Sequence, residues 1–325
     1  MQESLHQKFD VIRHWLNEQI VGQQELVTRL LIGLLADGHL LVEGAPGLAK
    51  TRAVRLMADC VEGDFHRIQF TPDLLPADLT GTEIFRQQTG TFEFQRGPLF
   101  HSIVLADEIN RAPAKVQSAL LEAMAERQIT VGRESYELPE LFMVMATQNP
   151  IEQEGTYPLP EAQLDRFLLH IFVDYPEVSS ELAILNIARN EALGQGGKTG
   201  LDVQSKLNQE ELWSIRKEVL QIYMTPEVER YIVELVLATR TSGTNDSTFS
   251  RWLEYGASPR ATIALDRCAR AYAWACGRDY VSPEDVQEMA PDVLRHRIIR
   301  SYEAEAEGVS ANQIIQSLLS TVAVP

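Results

Sequence analysis

A glycine-rich stretch followed by lysine and threonine gives the chain a candidate phosphate-binding loop. Residues 44–51 read Gly-Ala-Pro-Gly-Leu-Ala-Lys-Thr and lie between the short apolar run 39–43 and a helical pattern. In such a loop, successive backbone N–H groups point at phosphate oxygens, and the helix N-terminus adds its positive end. Lys50 would reach the β- and γ-phosphates, and the Thr51 hydroxyl would bind Mg²⁺. The usual pattern has Gly where Ala49 stands, so an ordinary strand-to-helix turn stays open at this point.

Two adjacent carboxylates follow a second apolar run. Residues 103–106 are Ile-Val-Leu-Ala, and Asp107 and Glu108 come directly after them. The carboxyl ends of parallel strands are where ligands bind in open α/β sheets. At that place Asp107 would hold Mg²⁺ through its water shell, and Glu108 would polarise an attacking water. For an isolated Asp-Glu pair, a solvated turn is the alternative.

Three further polar side chains occupy comparable positions later in the chain. Asn149 follows the apolar run 141–146 and could orient water or bind the γ-phosphate, although a turn Asn before Pro is the alternative. Arg166 precedes the last apolar run, and Arg260 lies in the first turn of a predicted helix. A single arginine in either place is usually a surface ion pair. The five elements in this order are a stronger signal than any one of them.

The elements that must position these groups alternate between strands and helices as far as residue 176. Short apolar runs predict strands, and one helical face recurs between them at 114–127. This alternation predicts an α/β fold with a parallel sheet that is covered on both faces. The predicted strand runs are 39–43, 65–70, 102–106, 141–146 and 167–173.

Beyond residue 176 the strand signals stop. Several glycines within 191–210 indicate a loop or linker, and Thr225-Pro226 and Ser282-Pro283 are typical helix starts. We therefore predict an α/β nucleotide-binding domain over 1–176, a linker over 177–205 and a small all-α domain over 206–325.

The amino-acid composition and net charge exclude or disfavour several classes of protein. The 325 residues are 45% apolar and 23% charged, which excludes a disordered, collagen-like or coiled-coil chain. The net charge of −17 argues against a nucleic-acid partner, since such binding needs a positive field. No apolar run approaches the length of about 20 residues that crosses a bilayer, and the polar start 1–10 lacks a signal-peptide core. We expect a cytoplasmic protein with no direct membrane insertion.

Cysteine spacing gives neither a disulfide framework nor a zinc site. The chain has three cysteines, Cys60, Cys268 and Cys276, without CxxC spacing. We expect three buried thiols in a reducing compartment.

Taken together, these motifs resemble the AAA+ ATPases and, within them, the MoxR family. The P-loop of that family reads G-x-P-G-x-A-K-T, which accommodates Ala49. The resemblance extends from about residue 20 to residue 294 and includes the stretches 106–113, 147–150, 164–167 and 257–261.

The resemblance implies a role for each matched position. Lys50 and Thr51 resemble the Walker A pair, and Asp107 and Glu108 the Walker B pair, with Mg²⁺ held by Thr51 and Asp107. Asn149 resembles sensor 1, Arg166 an arginine finger that completes the site of a neighbouring subunit, and Arg260 sensor 2, acting either on its own nucleotide or on a neighbour's. The implied nucleotide-binding residues are Val21, Gly22, Gly44, Ala45, Pro46, Gly47, Leu48, Ala49, Lys50, Thr51 and Arg52.

Residues 71–97 and 128–140 are similar to inserts of this group that face a ring pore, and the second is predicted to be a hairpin. The alternative for each is a surface element with no motor role. A finger supplied in trans can contribute about 10³–10⁵ in rate, so hydrolysis would need assembly. The family implies a homo-oligomer in the form of a hexameric ring, in which ATP and Mg²⁺ power the remodelling of a protein client.

The client that the family implies is a protein with a von Willebrand factor A domain. Two other functions remain open from the sequence: the ATPase subunit of a magnesium-chelatase-like metal-insertion motor, and a nucleotide-dependent switch that hydrolyses slowly. An intact Glu108, Asn149 and Arg166 count against the switch, which would need none of them.

Overall fold

The computed structural model describes residues 4–150, 155–193, 201, 205–240 and 249–325. Their contacts divide into two compact units. The first, here called the α/β unit, lies within Met1–Leu34, His39–Leu159 and Ile171–Leu212. The second, here called the helical unit, lies within Leu35–Gly38, Pro160–His170 and Trp213–Pro325.

Strands are concentrated in the α/β unit. They are β1 (Leu40–Gly44), β2 (Phe65–Gln69), β3 (Gly81–Arg86), β4 (Thr91–Arg96), β5 (Ile103–Asp107), β6 (Gln128–Val131), β7 (Glu134–Glu137), β8 (Met143–Gln148), β9 (Leu169–Val173), β10 (Leu253–Tyr255) and β11 (Ile299–Arg300). Five of them form one sheet in the order β2-β5-β8-β1-β9, with parallel pairing at β2–β5, β5–β8 and β8–β1. The predicted α/β fold with a parallel sheet is confirmed.

Helices flank the sheet and make up most of the helical unit. They are α1 (Leu5–Gln19), α2 (Gln24–Leu35), α3 (Lys50–Asp59), α4 (Pro76–Thr80), α5 (Ala114–Glu126), α6 (Glu161–Leu164), α7 (Val178–Ala192), α8 (Gln209–Gln221), α9 (Pro226–Ala238), α10 (Pro259–Ala275), α11 (Pro283–Leu294), α12 (Tyr302–Ala306) and α13 (Ala311–Thr321). The predicted helix starts are confirmed, because Thr225 and Ser282 cap α9 and α11 and a proline follows each cap.

The central strands are apolar except near their carboxyl ends, because both faces of the sheet are covered. Residues 103–106 of β5 and 143–146 of β8 are buried almost completely. In the parallel register Gln69 lies opposite Asp107, and Glu43 lies opposite Gln148. The carboxyl ends of β1, β2, β5 and β8 therefore meet at one edge of the sheet.

Both predicted inserts belong to the α/β unit and contact each other. The 71–97 insert contains α4 and the antiparallel hairpin β3–β4, and the predicted hairpin within 128–140 is confirmed as β6–β7. The rings of Phe94 and Tyr136 stack with their centroids 4.1 Å apart. The position of these hairpins toward a pore stays a prediction.

The structure differs from the sequence-based expectations in three places. Helix α7 occupies residues 178–192 of the predicted linker, because the glycines that suggested a loop begin only at Gly194, and much of that glycine-rich stretch lies outside the described residues. The predicted all-α region contains the short antiparallel pair β10–β11, whose strands are too short to leave a periodic signal. Cys276 is exposed at the end of α10, so only two of the three cysteines are buried.

In the part of the chain that the structure describes, no helix has both the length and the apolar character required to cross a membrane.

Candidate functional site

The glycine-rich loop connects the carboxyl end of β1 to the amino end of α3. Gly47 at its exposed tip has φ +86°, a left-handed conformation that glycine adopts without strain. Gly44 has no room for a side chain, because a Cβ there would lie 2.6 Å from the Val173 carbonyl oxygen. Ala49 also adopts a left-handed conformation, at φ 56°, and makes no side-chain cap to α3. The side chain at the N-cap therefore does not occupy the first N–H groups of α3. An anion-binding helix start requires that these groups are left for the anion.

Lys50 lies half-buried between the ends of β1 and β8. Its Nζ donates to the Gly44 carbonyl oxygen at 2.6 Å and contacts the Gln148 carbonyl oxygen at 3.4 Å. Burial lowers the pKa of Lys50, and the negative charges of Asp107 and Glu108 oppose that effect. The ammonium group therefore lies in a pocket where an added anion, such as a phosphate, would stabilise its charge.

Asp107 ends β5 with both carboxylate oxygens engaged. Its Oδ1 accepts a hydrogen bond from the Thr147 hydroxyl at 2.6 Å. Its Oδ2 accepts from Arg67, at 3.0 Å from Nε and 2.6 Å from Nη2. A cation approaching Asp107 would therefore compete with the Arg67 guanidinium for Oδ2.

Glu108 follows immediately in a left-handed conformation, with φ 59°. Non-glycine residues held in this region are strained and concentrate at functional sites. Its carboxylate Oε2 accepts from Gln69 Nε2 at 2.8 Å and from Arg111 Nη1 at 3.0 Å. Two side chains, Gln69 of β2 and Arg111, thus fix the direction of this carboxylate.

Thr147 is the residue that connects the two acids, and sequence reasoning gave it no role. Its side chain donates to Asp107 and also accepts the backbone N–H of Glu108 at 2.9 Å. Thr147 is only 1% exposed. The sequence signal for this role was a hydroxyl residue at the end of β8, the strand that pairs with the strand ending in the acids. Arg67 and Gln69 were also missed, because only the pairing of β2 with β5 places them beside Asp107 and Glu108.

Asn149 follows the end of β8 and is buried, with 6% exposure. The structure thus assembles the predicted Lys50, Asp107, Glu108 and Asn149 at the edge of the sheet where the parallel strands end.

An apolar cleft lies beside the loop within the α/β unit. It is lined by Val21, Leu48, Arg52, Pro176, Ile184 and Ala188, among others. Gln23 anchors the Val21–Gly22 segment by donating from Nε2 to the Asp174 carbonyl oxygen at 3.0 Å. The cleft thus presents a largely apolar lining next to the phosphate-binding loop. Its residues from α7 were missed, since that stretch was predicted to be a linker.

Arg166 and Arg260 belong to the helical unit. Arg166 follows α6 and is half-buried, whereas Arg260 is exposed in the first turn of α10. Ser258 caps α10, and its Oγ accepts the backbone N–H of Arg260 at 3.2 Å. The two predicted arginines are thus carried by one compact unit, and the loop and the carboxylates by the other.

Two family models match separate parts of the chain, one before and one after the stretch that joins the two domains. Residues 39–169 match the model of the ATPase family associated with various cellular activities (AAA), and residues 247–318 match the AAA lid domain. The protein named Chaperone MoxR1 from Mycobacterium tuberculosis is 47% identical over 309 residues, which cover 94% of this chain and 79% of that protein. YeaC, an uncharacterized protein of Bacillus subtilis, is 42% identical over 324 residues, which cover 100% of this chain and 97% of that protein.

A solved structure shows the same architecture. The crystal structure of a candidate ATPase from Cytophaga hutchinsonii matches with a TM-score of 0.88 at 46% identity, over 99% of this chain and 96% of that one.

Proposed function

Because the chain belongs to the MoxR family of AAA+ ATPases, we propose that it binds ATP with Mg²⁺ and hydrolyses it to ADP and phosphate. The observation that carries the proposal is the arrangement at the sheet edge. The Lys50 ammonium lies under the glycine-rich loop, within electrostatic range of both Asp107 and Glu108. A phosphate-binding cation, a metal-binding carboxylate and a second, directed carboxylate are the groups that phosphoryl transfer to water needs.

The loop and the cleft would bind the nucleotide. The N–H groups of the loop and of the first turn of α3 donate to the phosphate oxygens, and Lys50 neutralises their charge. The apolar cleft beside Val21, Gly22 and Arg52 receives the base. Burial of Lys50 strengthens this contact, since charge–charge attraction rises as water is excluded.

The donor set fits Mg²⁺ bound together with a nucleotide. Among the described residues, no cluster of three or more His, Cys, Asp or Glu side chains could hold a metal. Nucleotide-bound Mg²⁺ needs only one or two protein ligands, because phosphate and water oxygens supply the others. Thr51 and Asp107 are the side chains that would hold it. The bound ion would neutralise charge on the phosphates.

Glu108 would orient and polarise the attacking water. Its two side-chain partners, Gln69 and Arg111, hold the carboxylate at a fixed direction while leaving its second oxygen, Oε1, to accept from water. Asn149, at the same edge, would position that water or the γ-phosphate.

Arg166 would act as the finger of a neighbouring subunit, and Arg260 as sensor 2. Positive charge delivered to the transferring phosphoryl group stabilises the transition state, so turnover would depend on assembly into a homo-oligomeric ring, which we propose to be hexameric. A ring also fits the head-to-tail contact that a finger in trans implies.

The work done by this cycle would be the remodelling of a protein client. A relative of this chain is named as a chaperone. We propose that the client carries a von Willebrand factor A domain, that the two hairpins contact it, and that the protein acts in the cytoplasm.

Phosphate release and nucleotide binding test this proposal together. We expect wild-type turnover per protomer to rise with protein concentration and Glu108→Gln to bind MgATP with little turnover. Glu122→Gln, an exposed acid on α5, is the matched control and should behave as wild type. Equal and concentration-independent turnover of wild type and Glu108→Gln would contradict hydrolysis at this site and would favour a slow nucleotide-dependent switch.

A further inference from the structure

One buried arginine in the helical unit contacts the chain on both sides of Arg166. The Arg297 side chain, 3% exposed, places Nε 2.9 Å from Asp165 Oδ1. Its Nη1 donates to the Leu168 carbonyl oxygen at 3.1 Å, and its Nη2 to the Phe167 carbonyl oxygen at 2.5 Å. The residue before Arg166 and the two residues after it are therefore fixed by a single guanidinium.

The remaining donors of Arg297 are also directed. Nη1 donates to the Val293 carbonyl oxygen of α11 at 2.5 Å, and Nη2 contacts the Asp165 carbonyl oxygen at 3.4 Å. A guanidinium has five N–H donors in a planar fork, whereas a lysine has three on one point charge. Lysine at this position could not hold the same set of acceptors.

Asp165 extends this contact to α10. Its second oxygen, Oδ2, accepts from the Ser258 hydroxyl at 2.8 Å. Ser258 is the N-cap of α10 and accepts the backbone N–H of Arg260. A continuous set of hydrogen bonds thus runs from Arg297 through Asp165 and Ser258 to the residue predicted as sensor 2.

Stability alone does not explain such a buried pair. Replacing a buried ion pair by apolar side chains of similar volume is often neutral or stabilising. An apolar cluster cannot fix the direction of four backbone carbonyls and a carboxylate, as the Arg297 guanidinium does. Arg297 and its bonds to Asp165, Phe167 and Leu168, here called the clamp, hold the loop that carries Arg166.

We propose that Arg297 is a positioning residue, which, through Asp165 and Ser258, holds Arg166 and the amino end of α10 as one rigid piece. The two arginines then change position together. The inference rests on the proposed function, in which Arg166 acts on the nucleotide of a neighbouring subunit.

Arg297→Lys is the first test. A group that acts only on the transition state changes kcat and leaves KM, so we expect kcat to fall about tenfold or more while KM for ATP changes less than about twofold. Arg295→Lys is the matched control. Arg295, two residues before Arg297, pairs with Asp292 at 2.6 Å and donates to the His170 carbonyl oxygen. Among the described residues it makes no hydrogen bond or ion pair with the 165–168 segment. Its turnover should stay within about twofold of wild type.

Mixing separates a finger defect from a general defect. In a ring formed from equal parts of Arg297→Lys and Glu108→Gln, about one interface in four pairs an intact Glu108 with an intact clamp. Turnover should therefore recover to about a quarter of wild type. A mixture of Arg297→Lys with Arg166→Ala should show no recovery, since neither protein supplies a positioned finger. Where Glu108→Gln and Arg166→Ala do restore each other, recovery with Arg166→Ala, or none with Glu108→Gln, would overturn the positioning role.

Hydrogen exchange of backbone amides tests the clamp without an ATPase assay. In Arg297→Lys, amides of 163–168 and 258–262 should exchange faster together, while those of α13 stay unchanged. Faster exchange in 163–168 alone would overturn the coupling to α10. If Glu108→Gln and Arg166→Ala fail to restore each other, the finger in trans is wrong, and this exchange result alone decides whether the clamp exists.

Ser258→Ala gives a milder perturbation should Arg297→Lys not fold. It removes the bond between Asp165 and α10 and is expected to speed exchange at 258–262 and to lower kcat about threefold or more. Ser310→Ala, which removes a comparable cap from α13, is the control for losing a cap alone. Equal kcat in both serine variants would overturn the proposal.

Discussion

Replacing Thr147 with valine removes one hydroxyl and nearly preserves side-chain volume. That hydroxyl donates to Asp107 Oδ1 at 2.6 Å and accepts the Glu108 N–H at 2.9 Å. Thr147 is 1% exposed, so water cannot replace the lost partner without a rearrangement of β8. Valine therefore leaves the Glu108 N–H without its acceptor and Asp107 without one of its donors.

The magnitude follows from these two contacts. A hydrogen bond to a charged acceptor contributes about 1.5–3 kcal/mol, and a buried donor left without an acceptor costs about 1–3 kcal/mol. Allowing for relaxation, we expect the free energy of unfolding to fall by about 2–4 kcal/mol. A loss of about 1.5–3 kcal/mol in positioning the two acids corresponds to about a 10- to 150-fold fall in kcat.

Urea unfolding and phosphate release at saturating MgATP measure the two effects. Thr147→Ser is the matched control, because it keeps the hydroxyl and loses one methyl group, which costs about 1 kcal/mol. Its kcat should remain within about threefold of wild type. If Thr147→Val and Thr147→Ser have the same kcat, the hydroxyl does not position Asp107 and Glu108, and the reasoning is refuted.

Three other perturbations have defined outcomes. Arg67→Gln frees Asp107 from an exposed ion pair that contributes at most about 1 kcal/mol, so the Mg²⁺ concentration for half-maximal turnover should fall up to about fivefold. Burial raises the pKa of Cys60 to about 12, so a disulfide reagent should modify the exposed Cys276 at once and the buried thiols only after unfolding. Burial holds the pKa of His296 well below its ordinary value, so the unfolded chain takes up a proton below about pH 6.5 that the folded protein does not. His296→Gln should therefore reduce the acid-induced loss of unfolding free energy, by up to about 2 kcal/mol near pH 5.

Each of these expectations has a contradicting result. Arg86→Gln removes an exposed ion pair with Glu93 on the β3–β4 hairpin and should leave the Mg²⁺ dependence unchanged. An unchanged Mg²⁺ dependence in Arg67→Gln as well would show that the guanidinium does not compete with the metal. More than one fast thiol would contradict the burial of Cys60 or of Cys268. A pH dependence of stability in His296→Gln identical to that of wild type would refute the linkage.

The sheet and the loop were predictable because their causes are local in the chain. A run such as 103–106 is apolar at every position only when both faces of its strand are covered, and the glycine-rich turn follows one such run. The 128–140 hairpin was predictable from its alternation and from Gly132 at the turn.

The contacts around the carboxylates were not predictable, because they depend on strand register. Gln69 reaches Glu108 only because β2 pairs with β5 so that Gln69 lies opposite Asp107. A polar residue at the end of a strand is common, and its partner on another strand leaves no trace in spacing. Arg297 is a stronger case, since it lies more than a hundred positions after the Asp165 that it contacts. Helix α7 was missed because the glycines after it favoured a linker that begins at residue 177, whereas α7 extends to Ala192.

The turnover of an equal mixture of Glu108→Gln and Arg166→Ala tests the central claim most directly. Each variant alone should be nearly inactive, because one lacks the group that polarises water and the other lacks the finger. If the site is completed across a subunit boundary, random assembly forms an intact site at about one interface in four, and the mixture should recover about a quarter of wild-type turnover. Turnover of the mixture no greater than the average of the two variants alone would contradict a site shared between Glu108 of one subunit and Arg166 of the next.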